Sequence, residues 1–154
     1  MELQRPLMAK YVLILAFILG LAYEFTRTPG KGFDYRAAPV TERETYLESQ
    51  SSLAKKRVGR AIGSKYGYFS KISIESSKVI SQGVQLNLIY SDENARTNAY
   101  RMAGELKETV CPAYLKLPLA ENGLKLTLVL IAPKGQRLAT VALNSSVCSR
   151  FAGS

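Results

Sequence analysis

Val84-Gln85-Leu86-Asn87-Leu88-Ile89-Tyr90 alternates apolar and polar residues, and in the segment after it Ala95, Ala99, Met102, Ala103, Leu106 and Val110 recur at steps of three and four. A period of two marks a strand with Val84, Leu86, Leu88 and Tyr90 on one face; the longer steps mark a helix with one buried stripe. Asp92 suits the N-cap of that helix, since its carboxylate can accept the first free backbone donors. Pro112 disfavours helical geometry at Cys111 and predicts the stop there. The three alanines predict close approach of helix to sheet.

Working outward, Ser81-Gln82-Gly83 joins this strand to an earlier one, in which Tyr68, Ser70, Ile72 and Ile74 alternate and Lys78-Val79-Ile80 resumes the run. A short glycine-bearing link between two such runs predicts a hairpin. Further upstream, Thr41 and Glu44 have the spacing of a capping box. Tyr46, Leu47, Leu53, Ala54, Val58, Ala61 and Ile62 then recur at helical period. The reading is a helix over residues 42–62, interrupted in its stripe at Gln50 and Ser51 and ended by Gly63. Downstream, Leu124, Leu126, Leu128 and Leu130 share one strand face while Val129 and Ile131 make the other partly apolar, as in a central strand. Pro133-Lys134-Gly135 is turn chemistry. Residues 138–147 then read as a return strand closing on Cys148. The order α-β-β-α-β-β predicts an α+β fold: a small antiparallel sheet of four to five strands with helices packed on one face.

The N-terminus sets the compartment. Arg5 and Lys10 precede the unbroken apolar run of residues 11–19, and apolar character extends at most to Tyr23 before Glu24. That is short for a membrane span of about 20 residues and suits a signal-peptide core. Gly20-Leu21-Ala22 supplies small residues where a signal peptidase reads, so cleavage after Ala22 is the preferred reading. An uncleaved anchor stays open, because Tyr23 and Phe25 are bulky and apolar and the basic residues Arg27, Lys31 and Arg36 follow the run as well. An internal core helix is the third possibility. The domain reading is therefore 1–22 signal peptide or anchor, 23–40 a linker or extended lead-in rich in glycine and proline, and 41–154 an exported domain. The expected location is the periplasm, free or tethered to the inner membrane. Such a compartment oxidises thiols, so Cys111 and Cys148, the only two cysteines, are expected to form a structural disulfide. Closing a loop of that length stabilises by about 3–4 kcal/mol under the chain-entropy model.

Composition excludes several chemistries. With no histidine in the chain, catalytic triads and the usual zinc, copper and haem ligand sets are missing. Aspartate occurs only at positions 34 and 92, which weakens a carboxylate dyad, and the Glu105/Glu108 pair has the spacing of a solvated helix face. The chain is expected to be no enzyme and to carry no cofactor. Its net charge of +9 points to anionic lipid, cell-wall polymer or an acidic protein as partner. Lys55, Lys56, Arg57, Arg60 and Lys65 form a basic cluster on the first helix, a candidate binding face beside the simpler reading of a solvated surface. Lys65-Tyr66-Gly67-Tyr68-Phe69-Ser70-Lys71 interleaves aromatic and basic residues as nucleic-acid surfaces do, yet it fits an ordinary strand start, and nucleic acid is disfavoured as a partner.

Residues 79–148 resemble the small disulfide-bonded pilotins of type II secretion, the branch built on a sheet. The pieces that carry the resemblance are Val79-Ile80 leading into residues 84–90, a helix ending in Val110-Cys111, Gly123-Leu124-Lys125-Leu126, the turn Lys134-Gly135-Gln136 and Cys148. The resemblance implies a non-enzymatic accessory protein that binds a C-terminal segment of a secretin and promotes its assembly. The chain departs from the family in lacking the acylated cysteine, with Tyr23 where it would fall. Two other classes remain: a periplasmic inhibitor or immunity protein acting on a target that is not itself basic, and a basic envelope-binding module for anionic lipid or cell-wall polymer.

Overall fold

Four strands pair in the order β1-β2-β3-β4: β1 (Ile72–Ile80), β2 (Gly83–Tyr90), β3 (Lys125–Ile131) and β4 (Arg137–Leu143). They are seen in a computed structural model that describes Leu15, residues 29–65 and residues 67–151. The cleavage and anchor readings of residues 1–22 lie, apart from Leu15, outside those residues. No helix among the described residues is long and apolar enough to cross a membrane.

Alternation places Leu86, Leu88, Tyr90, Leu126, Leu128, Leu130, Val141 and Leu143 on one sheet face, all buried. Helix α1 (Val40–Lys65) packs on that face against β1 and β2, and α2 (Ala95–Leu115) against β4 and β3. The other face carries Gln85, Asn87, Thr127 and Thr140; there Gln85 Nε2 donates to Asn87 Oδ1 (2.8 Å) and Asn87 Nδ2 to Ser76 Oγ (2.9 Å).

The α+β class, the element order and the Cys111–Cys148 disulfide are as the sequence predicts. The sheet differs in one respect, being mixed rather than antiparallel throughout. β1–β2 and β3–β4 are antiparallel hairpins, but β2 pairs in parallel with β3 from Gly83↔Lys125 to Ile89↔Ile131. The cause is the single helix between them. At about 1.5 Å per residue, 21 residues of α2 run the length of β2 and return the chain to the end where β2 began. Gly83 stands at that parallel seam, where a β-carbon would lie 2.1 Å from the Lys125 carbonyl oxygen.

Element ends depart from the sequence signals for local reasons. α1 begins at Val40, with Arg43 N donating to the Pro39 carbonyl (3.0 Å), so Thr41 lies inside the first turn and forms no capping box. It runs past Gly63 to Lys65. Gln50 and Ser51, the expected interruption, stay buried on the stripe; Gln50 Nε2 donates to the Pro29 carbonyl (2.7 Å). α2 continues through Pro112 to Leu115. Proline removes one helical hydrogen bond there, and the last turn is held instead by Tyr114, fully buried, whose hydroxyl donates to the Leu124 carbonyl (2.6 Å). Asp92 sits before the helix, taking the N–H of Asn94 (2.8 Å), while Asn94 itself occupies the N-cap. After the short helix α3 (Pro118–Glu121) and the second hairpin, β4 ends at Leu143 rather than 147. Asn144 then caps α4 (Ser145–Cys148), its side chain accepting from Val147 N (2.8 Å), so Cys148 reaches Cys111 from a helix, not a strand end.

Residues 29–39, read from composition as a linker or lead-in, lie against the domain. Phe33 stacks on Tyr46 at 4.5 Å, Tyr35 N donates to Asn122 Oδ1 (2.9 Å), and the Arg43 guanidinium donates to the carbonyls of Ala38 and Arg36. Glycine and proline punctuation shows where helix and strand are absent. It does not show whether the aromatic residues between them find a surface.

Candidate docking grooves beside the first helix

The two flanks of α1 border different neighbours. On one side lies β1, an edge strand with no strand paired to its outer side among the described residues. Between them runs a groove of about 350 Å³ floored by Ile62, Phe69 and Ile72, all buried, with Ile74 on its strand wall and Lys55 at its rim. The helix wall is formed by Gly59 and Gly63, one turn apart. A β-carbon at Gly63 would meet nothing within 4 Å, and one at Gly59 only Ile74 Cδ1 at 3.6 Å, an ordinary contact. Packing inside the domain therefore requires neither glycine, although each costs a helix interior about 0.5–1 kcal/mol relative to alanine. Their effect is to leave the groove open.

The strand side of the groove is fixed from below. Ser91 N donates to the Lys71 carbonyl (3.0 Å), and Lys71 Nζ lies 3.2 Å from Asp92 Oδ2, tying the start of β1 to the end of β2. The Asn94 N–H, and after it the Lys71 ammonium, hold the Asp92 carboxyl below its ordinary range.

On the opposite flank Arg57, Arg60 and Ala61 face Thr109, Pro112, Ala113 and Lys116 of α2 and its C-cap, across a groove of about 390 Å³. The Arg57 guanidinium donates to the Lys116 carbonyl. The expected basic face is thus divided. Lys55 belongs to the β1 side, Arg57 and Arg60 to the α2 side, and Lys56 is exposed between them; the side chain of Lys65 lies outside the described residues. Lys116 joins the second group without having been singled out in the sequence, because a helix stopping at Cys111 would not carry residue 116 to this wall.

A third hollow, of about 420 Å³, lies beside the lead-in at Phe33 and Tyr46. The Tyr46 hydroxyl accepts from Asn122 Nδ2 (3.0 Å), and burial, which outweighs that hydrogen bond, pushes its pKa up to about 12. The stacked rings of Phe33 and Tyr46 form its apolar wall, and Thr41, Glu42, Thr45 and Ser49 of α1 line the rest together with Gly30.

No family model matches the chain, and no curated protein sequence matches it significantly. Among solved structures the fold is shared with a candidate secreted protein of Pseudomonas aeruginosa, at a TM-score of 0.50 and 20% identity, over 73% of this chain and 99% of that one. The type II secretion system pilotin AspS of Vibrio cholerae (TM-score 0.44, 15% identity) and the type 2 secretion system pilotin EpsS of Vibrio vulnificus (TM-score 0.41, 16% identity) are also matched, each over 66% of this chain and 94% of its own.

Proposed function

We propose that this chain is an exported, non-enzymatic accessory protein of an envelope secretion or pilus-type assembly, and that the groove between α1 and β1 holds an apolar segment of its partner. The observation that carries the reading is the open wall at Gly59 and Gly63 beside the unpaired edge of β1. A groove of this kind receives the apolar face of a helix, or a strand added to the sheet edge. The resemblance of residues 79–148 to sheet-type pilotins makes a C-terminal segment of a secretin the partner to test first. The buried disulfide fits an oxidising compartment, so the periplasm is the proposed location, with residues 1–22 as signal or anchor.

The test is a titration of the purified full chain with the C-terminal segment of a secretin from the same organism. Gly63→Leu projects a side chain into the groove and is expected to weaken binding at least about tenfold, since it occupies space the partner segment needs. Lys56→Gln, on the solvent side of α1, leaves binding unchanged. Equal binding by both variants removes the groove from the account.

A further inference from the structure

We propose that the second groove, between α1 and the C-terminal half of α2, is a separate docking site for an acidic peptide segment. Three cations converge on it, Arg57, Arg60 and Lys116, and none of the residues lining it is a carboxylate. Between the cations the floor is apolar, formed by Ala61, Pro112 and Ala113. That combination selects among anions. A free phosphate would use the charges and leave the apolar floor exposed. A lipid headgroup would meet the charges on a flat membrane surface, whereas these stand on the walls of a furrow between two helices. A chain carrying Asp or Glu on either side of a small apolar residue satisfies both parts.

The walls are already set. Arg57 is held by its hydrogen bond to the Lys116 carbonyl, and Cys111, next to Pro112, fastens α2 to α4 through the disulfide. Less conformational freedom remains to be lost when a ligand arrives. The chain's net charge of +9 favours encounter with an acidic segment at any face, so the groove must be distinguished from general attraction.

The probe is a fluorescein-labelled twelve-residue peptide alternating Glu with Ala and Leu, and its counterpart with Gln for every Glu. Binding to the full chain is read by fluorescence anisotropy at physiological salt. Arg60→Glu with Lys116→Glu is compared with Lys125→Glu combined with Lys134→Glu, which changes net charge equally but leaves both grooves intact. Thermal melting checks that all variants fold; the four substituted side chains are exposed. The expected result is that the first pair weakens the acidic peptide about tenfold or more, the second less than about twofold, and that the Gln peptide does not bind. Equal loss in both pairs reduces the effect to overall charge and overturns the proposal. So does equal binding of the Gln peptide. Displacement of the peptide by phosphatidylglycerol vesicles, but not by neutral ones, assigns the surface to lipid instead. Because Gly63 and β1 are untouched, failure here leaves the α1–β1 groove standing, and failure there leaves this one.

Discussion

Tyr46 joins the lead-in to the domain: its ring carries Phe33 and its hydroxyl accepts from Asn122. With its pKa raised to about 12 by burial, against about 10 in the unfolded chain, it stabilises the fold fully below pH 10. As pH climbs from 10 through 12, the unfolded chain ionises at this residue first and the contribution is lost, about 1–3 kcal/mol in all. Tyr46→Phe removes that titration together with a hydrogen bond of about 1 kcal/mol. Urea unfolding of both proteins between pH 8 and 12 should show the wild type more stable at pH 8 and its advantage shrinking above pH 10; a constant difference would contradict the assignment. Tyr46 was legible in the sequence as a core position, because it falls on the periodic stripe. Its partners Phe33 and Asn122 were not, since a stacking contact across loops leaves no period to read.

At the level of elements, α1 was legible through its stripe and misread at both ends. Thr41 and Glu44 have capping-box spacing, but the Pro39 carbonyl starts the helix earlier, and Gly63 sits two residues before the end at Lys65. A glycine near the end of a periodic run is ordinarily a C-cap. Here it lies in helix with open space around it, and so Gly63→Ala is expected to raise stability by about 0.5–1 kcal/mol, seen as a higher urea midpoint with an unchanged slope. Loss of stability would mean that Gly63 is required by the fold, and the open groove wall would need another explanation. α2 teaches the complementary lesson. The rule that proline ends a helix was outweighed by tertiary contacts of Tyr114 and Leu117, both buried on the far side of Pro112. The α2 wall of the second groove depends on that last turn, which is why the basic cluster could be recognised from sequence but not divided into its two flanks.

Among the described residues, two hairpins are bridged by α2 and covered by α1, with the disulfide closing the second half. Cys111 and Cys148 are fully buried, 37 residues apart with Cα atoms at 5.0 Å. Removing the bond by Cys148→Ser should cost about 3–4 kcal/mol and lower the melting temperature by about 10–20 °C. An unchanged melting temperature would mean that the bond constrains nothing. Two cysteines behind an export-like N-terminus were enough to expect this pairing. The parallel seam between β2 and β3 was harder to see. Each hairpin announces itself through its turn, whereas the direction in which two hairpins meet depends on how many helices cross between them and where they land. The central proposal is that the groove between α1 and β1 holds an apolar segment of the partner, with a secretin segment tested first. The most direct measurement replaces Lys55, at the rim of that groove, with a photo-crosslinking residue in the full chain, and places the same residue at Ala142, exposed on β4, in a second strain. After irradiation of intact cells, the account predicts crosslinks from position 55 to the C-terminal segment of a secretin and none to it from position 142. Secretin crosslinks from position 142 alone, or from neither position, would contradict it.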